Sequence, residues 1–365
     1  MRNTSNHKFS LSNPVIVPWV FMMPFLGVYV LFLVYPFLKG IWISLHDWNL
    51  LAVTFNPDAK EYVGFKNYIK VLWGKDIGWS AFQRPVIQVA FLLTSAFAVW
   101  FHFKGRIPLA RMILIVAIAS LFFVLLGFSP EEGGRWYDRR FWPTVMNTIT
   151  FSFFAVPGVT FTALVLAAML NRETRAMSVY RTVFFLSQVL SVTVVTLIWQ
   201  IIFSPRQGLI ANVIGLFGGS PIYWLTDEGF AMAAIVITTV WWSLGIAMML
   251  FLAGLQDISK EIYEAAHLDG ARGVKGFFYI TLPNLRRVML LVIVLQITLH
   301  FQVFGQSHLM TKGGPNDSTQ VLVRYIYQTA FRDSELGRAS AMAVFLFVIM
   351  AVFAVMQFAI SRGNE

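Results

Sequence analysis

The chain has 365 residues, 57% of them hydrophobic and only 13% charged, where a soluble domain has roughly 45–50% and about 25%. With a mean hydropathy of +0.67, this excludes an ordinary soluble domain and points to an all-α, polytopic membrane protein. The net charge of +10 reads as basic residues in short loops that set topology, not as a nucleic-acid surface, and the lack of cysteine excludes disulfides, thiolate metal sites and a Cys nucleophile.

The tail 1–14, MRNTSNHKFSLSNP, is short and polar. The apolar run behind it is too long for the core of a signal peptide and carries no small-residue cleavage pattern, so it reads as an uncleaved first span. A helix crossing a bilayer needs about 20 apolar residues. Eight segments qualify: 15–38, 86–103, 110–128, 144–170, 179–203, 230–254, 286–309 and 338–360. Backbone groups in lipid must be satisfied internally, and runs this long are helices. An even number of spans puts both termini on one side of the membrane.

Three loops on that side are dense in basic residues: Lys104, Arg106 and Arg111; Arg172, Arg175 and Arg181; and Lys260, Arg272, Lys275, Arg286 and Arg287. That side is therefore expected to be cytoplasmic. The opposite loops are longer and hold acids such as Glu131, Glu132, Asp227 and Glu228. Trp19, Tyr35, Trp42, Trp48, Trp142, Tyr223 and Trp224 gather near span ends, as an interfacial belt does.

The stretch EAAHLDGARGVKGFFYITLP, residues 264–283, interrupts this pattern with charges, glycines and a proline. Ser259 is placed to cap a helix that has Glu261 and Glu264 near its first turn. Asp269-Gly270 signals its end. A second short helix is predicted over about 272–281, stopped at Thr281-Leu282-Pro283, with Pro283 opening the next span. Ala265, Ala266 and Gly270 leave a narrow profile that fits a groove on another protein, with Glu264 and Asp269 as charged contacts. The plainer alternative is a loop that only joins two spans.

The spacing of Glu264-Ala265-Ala266, Gly270, Ile280, Leu282 and Pro283 is similar to the signature loop of permease subunits of binding-protein-dependent ABC importers. LVYPFLKGIWISLHDWN, YVGFKNYIKVL, FWPTVMNTITFS, residues 180–212, MTKGGPNDST and GRASAMAVFLFVIM resemble the carbohydrate-uptake branch of maltose and glycerol-3-phosphate permeases. The resemblance covers about 15–70 and 140–360. It implies a tail 1–14, a first core span with its external segment 15–72, and a permease core 141–365 that holds the coupling loop 259–283. Between the last two, 73–140 departs from the family as an inserted hairpin carrying spans 86–103 and 110–128; without it six core spans remain.

The resemblance further implies a second permease, separate ATP-binding cassette ATPase subunits that dock on the loop, and an external solute-binding protein. It implies a location in a bacterial or archaeal cytoplasmic membrane. No G-x-x-x-x-G-K-[ST] loop occurs, so ATP hydrolysis is expected on another chain, and neither cofactor nor metal is implied.

Polar side chains within spans often mark a pathway. Gln296 and His300, four apart on one helix face, continue to Val303 and occupy positions that line the solute site in the family. Trp241, Trp242 and Ser243 on the preceding span are further candidates. Amide, imidazole and aromatic groups suit a sugar; hydrogen bonding between helices is the alternative. Gly313-Gly314-Pro315 reads as an external turn that allows close backbone approach by the solute or the binding protein, or simply as a turn. A proton- or ion-coupled secondary transporter is the rival function, but apart from His300 the spans hold almost no ionisable group. A membrane-embedded enzyme would need a catalytic cluster at membrane depth, and none is visible.

Overall fold

The computed structural model describes residues 16–361 apart from Pro57, Arg84, Arg106 and Glu173. The tail 1–14 and Arg106, both used above for orientation, lie outside the described residues. The first span, α1, runs over Pro18–Ser44 and so continues past the predicted end at 38. Strand β1, His46–Asp47, pairs antiparallel with β2, Glu61–Tyr62, around the short helix α2, Leu50–Phe55. Helix α3, Lys66–Leu72, leads into strand β3, Gly74–Trp79. Helices α4, Pro85–Phe103, and α5, Leu109–Leu126, pack as an antiparallel hairpin, and β4, Phe128–Trp136, returns along β3. The two ribbons are additions to the expected all-helical fold.

The centre of the bundle is α6, Phe141–Leu170, packed on α10, Glu228–Gln256, and α13, Arg286–Phe301. Between α6 and α10 lie α7, Arg175–Val189, α8, Val192–Ile202, and α9, Leu209–Leu216. Helix α11, Lys260–Leu268, and the helical stretch α12, Val274–Asn284, form the loop ahead of α13. Helices α14, Leu322–Tyr327, and α15, Leu336–Ser361, close the fold, and α15 packs on α1 and α3. Buried small residues on α6 and α10, including Ala155, Ala163, Ala167, Ala231, Ala234 and Ala247, let the two backbones approach, the usual device where lipid removes the hydrophobic drive for helix association.

Among the described residues four helices are long and apolar enough to cross a membrane, and two bent pairs raise this to six if each counts as one span. The hairpin helices are shorter apolar helices, so the expected count of eight is not reached on length alone. The expected span 179–203 is broken: α7 and α8 meet at 104°. The cause is local. Leu190 is extended, and the Ser191 hydroxyl caps α8 by accepting the Val194 N–H at 3.4 Å. The expected span 286–309 ends at Phe301, and the chain turns through 302–304. The predicted stop at Thr281-Leu282-Pro283 is also displaced. A π-turn over Phe277–Thr281 puts Pro283 in the first turn of the next helical segment, where a missing N–H costs nothing. The bend, 68°, comes at Leu285 instead.

At the other end of the bundle Asp138 ties α6 to α14. Its carboxylate accepts the backbone N–H groups of Arg140 and Phe141 at 3.0 and 3.2 Å, opening α6. It also accepts the Tyr325 hydroxyl from α14 at 2.8 Å. Burial and this carboxylate hold the Tyr325 phenol above its ordinary range. Leu322 N–H donates to Thr148 Oγ1 at 2.8 Å, a second strap between α14 and α6. Tyr325→Phe removes one hydrogen bond to a charged group and is expected to cost about 1.5–3 kcal/mol. Thermal unfolding of the detergent-purified protein should show a lowered midpoint for Tyr325→Phe and a larger drop for Asp138→Ala, which also uncaps α6.

Candidate functional site

The loop 259–283 is folded rather than slack. Ser259 sits at the N-cap position of α11 with extended backbone, but its hydroxyl does not cap the helix as expected. The Glu261 carboxyl lies below the ordinary carboxylate range because its own backbone N–H bonds to it, with the Ser259 hydroxyl adding to this. At the far end Ala271 N–H reaches Ala266 O at 2.8 Å and Gly270 N–H reaches His267 O at 3.2 Å. This pair is a Schellman closure, and it needs the left-handed backbone of Gly270, φ +76°. A Cβ on Gly270 would meet no atom within 4 Å, so the requirement for glycine is conformational and not steric inside this chain. Tyr263 Oη and Thr281 Oγ1, 3.1 Å apart, tie α11 to α12.

Of the predicted contact residues, Glu264, Ala265, Asp269 and Gly270 are exposed, while Ala266 is buried against the loop. Ile280 and Leu282 are half-buried, Leu282 on the core cluster beneath, and Pro283 is exposed. The loop also presents Leu268, 90% exposed, with Val274 and Tyr279 at 73% and 74%. Sequence reasoning missed these three, although apolar residues beside Asp269-Gly270 in a polar turn were the available signal.

Deeper in the bundle, a cavity of about 290 Å³ is lined by Gln188, Val192, Thr239, Trp242, Ser243, His300, Gln302, Val303, Phe304 and Gln306, among others. The break between α7 and α8 builds one wall, since Gln188 and Val192 flank it. The opposed wall belongs to α10, whose Trp242 Nε1 donates to the freed Leu190 carbonyl at 3.1 Å. The third wall is the end of α13. His300 Nδ1 donates to the Gln296 carbonyl at 2.7 Å, which leaves Nε2 as an acceptor, with no partner among the described residues.

Four of the predicted solute residues, Trp242, Ser243, His300 and Val303, therefore share one cavity. Two do not line it. Gln296 is buried one turn behind His300. Trp241 turns its ring onto Trp199, centroids 5.9 Å apart, and its neighbour Trp242 takes the cavity position. Gln188, Val192 and Thr239 were not anticipated.

The turn Gly313-Gly314-Pro315 lies at the opposite end of the bundle from the loop 259–283 and is packed from within. Gly313, φ +80°, is buried against the side chains of Gln320 and Arg324. Thr319 Oγ1 donates to Gly314 O at 2.7 Å, and Asn147 Nδ2 donates to the carbonyls of Asp317 and Gln320 at 2.9 and 3.1 Å. The close approach at Gly313 is thus made by the chain's own side chains.

The family model described as the binding-protein-dependent transport system inner membrane component matches residues 159–364, which contain both the loop and the cavity. The chain belongs to this family. This permease is 35% identical over 236 residues to the lactose transport system permease protein LacF of Rhizobium radiobacter, covering 63% of this chain and 79% of that one. It is 26% identical over 344 residues to the trehalose/maltose transport system permease protein MalF of Thermococcus litoralis, covering 94% and 93%. Among solved structures, a bacterial ABC transporter that imports the acidic polysaccharide alginate superposes with a TM-score of 0.63 at 18% identity, over 96% of this chain and 95% of that chain. That likeness shows the fold.

If the cavity binds solute, Trp242→Ala and His300→Ala should each lower uptake about tenfold or more, the loss expected for one stacking or charge-neutral polar contact in a desolvated site. Trp241→Ala should lower it much less. Uptake by membrane vesicles carrying equal amounts of each variant makes the comparison.

Proposed function

We propose that this permease forms, with a second permease, the pathway of an ATP-driven importer for a sugar or sugar-like solute that an extracytoplasmic binding protein delivers. ATPase subunits dock on the loop through Glu264, Ala265, Asp269 and Gly270, with Leu268, Val274 and Tyr279 as the apolar part of the contact. The observation that carries this reading is the loop itself: a capped, tied-down element that leaves large apolar side chains in the open. Exposed apolar patches on an otherwise folded polar element mark interaction surfaces. Ala266, Ile280, Leu282 and Pro283 support that surface from behind.

The cavity carries the solute class. The lining brings the aromatic residues Trp242 and Phe304 together with Gln188, Gln302, Gln306, Ser243 and His300, whose buried Nε2 has no partner among the described residues. A sugar offers one apolar face and a rim of hydroxyl groups, and this lining complements both. No acid or base other than His300 lines the cavity, which favours a neutral sugar over a phosphorylated one. Curated relatives include permeases named for lactose and for trehalose and maltose uptake. In this reading the hairpin within 73–140 also crosses the membrane, which gives eight spans, and both termini are cytoplasmic in the inner membrane of a bacterium or archaeon.

Purification in mild detergent should bring down an ATPase and a second permease with this chain. Purification as a lone transporter that works without ATP overturns the reading. Gly270→Trp forces a bulky side chain into a left-handed position, a strain of about 1–2 kcal/mol, on the surface offered to the ATPase. It should leave membrane insertion intact and abolish solute-stimulated ATP hydrolysis; wild-type coupling in that variant would remove the loop from the mechanism.

A further inference from the structure

We propose that the end of the bundle bearing the loop 259–283 holds one anionic phospholipid, with its phosphate seated on Arg286 and Arg287. The site is distinct from the solute cavity and from the exposed tip of the loop. It rests on the membrane placement of α10 and α13, and not on the identity of the solute.

A cavity of about 660 Å³ opens between the end of α10 and the start of α13. Gly254, Asp257 and Ile258 at the end of α10 form one side, Ser259 and Ile262 of α11 the roof, and Pro283 to Leu290 the other side. The 68° bend at Leu285 creates it, because it turns α13 away from α12 just before the two arginines. Both arginines are exposed, and the three ion pairs among the described residues involve other side chains. Asp257 lines the far wall, and no described acid lies within ion-pair distance of either arginine. Asn284, whose amide also bonds Ile280 O at 2.7 Å, and Ser259 add polar groups at the same level.

The wall changes character with depth. Past the arginines come Val288 and Leu290, then Leu291, which is 49% exposed at the start of the apolar span. A guanidinium pair binds phosphate by paired hydrogen bonds, and basic pockets between membrane helices take anionic headgroups. A free phosphate would satisfy the arginines and leave Ile262, Val288 and Leu290 against water. A phospholipid satisfies both halves, phosphate on the arginines and glycerol with the first acyl carbons on the apolar wall. That division selects the lipid over the soluble ion.

The test uses the assembled importer in mild detergent, titrated with phosphatidylglycerol or phosphatidylcholine and read by native mass spectrometry. The wild type should retain one phosphatidylglycerol per copy of this chain. Arg286→Gln with Arg287→Gln should weaken that retention by about tenfold or more, with phosphatidylcholine unaffected. The double lysine variant, which keeps the charge without the fork, should lose less, and it remains informative if the glutamine variant fails to assemble. Arg175→Gln, at a neighbouring exposed helix start, should behave as wild type. Equal retention in the double glutamine variant overturns the proposal. So does an equal loss in Arg175→Gln, which would mean diffuse surface charge, or displacement by millimolar inorganic phosphate, which would mean a free-anion site. Loss of the ATPase from the double variant with lipid retention unchanged would assign the arginines to that subunit instead.

Discussion

A helix that breaks inside a membrane releases backbone carbonyls that lipid cannot satisfy. In this permease the release happens at Leu190, and the Trp242 indole supplies the donor at 3.1 Å. Much of the central architecture depends on that bond. It lets α7 turn through 104° into α8, which brings Gln188 and Val192 to one rim. It also fixes the face that α10 shows to the cavity, because an indole committed to Leu190 O sets the rotation of the helix that carries it. Ser243 follows into the lining and Trp241 is turned away to Trp199. The third wall obeys the same rule on a smaller scale. His300 donates its Nδ1–H to the carbonyl one turn back, and its buried Nε2 has no partner among the described residues. The cavity is thus assembled from the devices that make a broken span tolerable.

The loop at the other end of α10 and α13 is stiff for a different reason. A Schellman closure at Ala266 to Ala271, the Tyr263–Thr281 contact and the packing of half-buried Leu282 on the core fix α11 against α12. Leu285 is buried, and Val288 packs with it on the cluster formed by α6 and α10. In the proposed function, a push on the exposed face of α11 would pass through this packing to α13, whose far end carries His300. Chemical energy spent on another chain needs such a lever, since a slack loop would absorb the displacement in its own torsions. Closure by rigid elements around a packed core is also how bistable movements are transmitted in general.

Much of this was legible in the sequence wherever the cause was local. Asp269-Gly270 announces a left-handed stop because few other residues adopt that backbone cheaply, and the structure puts φ +76° there. The apolar runs of α6, α10 and α15 show as helices because lipid leaves the backbone no other choice. The bends were not legible. Segment 179–203 holds Ser191, a capping residue, but hydropathy over a window has no term for a bend, and the bond that stabilises it comes from Trp242, 52 positions away. The face of α10 was equally hidden. A helix apolar all round gives no stripe from which to read its rotation, so Trp241 and Trp242 were indistinguishable until their partners were known. Gln296 was no easier to place: four-residue spacing put it on the face of His300, while the cavity lining on α13 begins at Leu299.

The hairpin between α3 and α6 is sealed at its base. Trp142 Nε1 from the first turn of α6 donates to Leu72 O at 3.3 Å, and Tyr137 N–H reaches Trp73 O at 3.0 Å. The points where the chain leaves and rejoins the bundle are thus in direct contact, and β3 and β4 zip the two connections together, with a register shift between Lys75 and Ile77 absorbing their unequal lengths. Above the ribbon the hairpin is held by itself, by Phe91 stacked on Phe122 at 5.3 Å and by Trp79 Nε1 donating to Val124 O at 3.0 Å. Its touch on the bundle is along α15, where Phe122 meets Phe353. An element attached through a closed base and packed along one outer helix adds surface beside the packed centre of α6, α10 and α13.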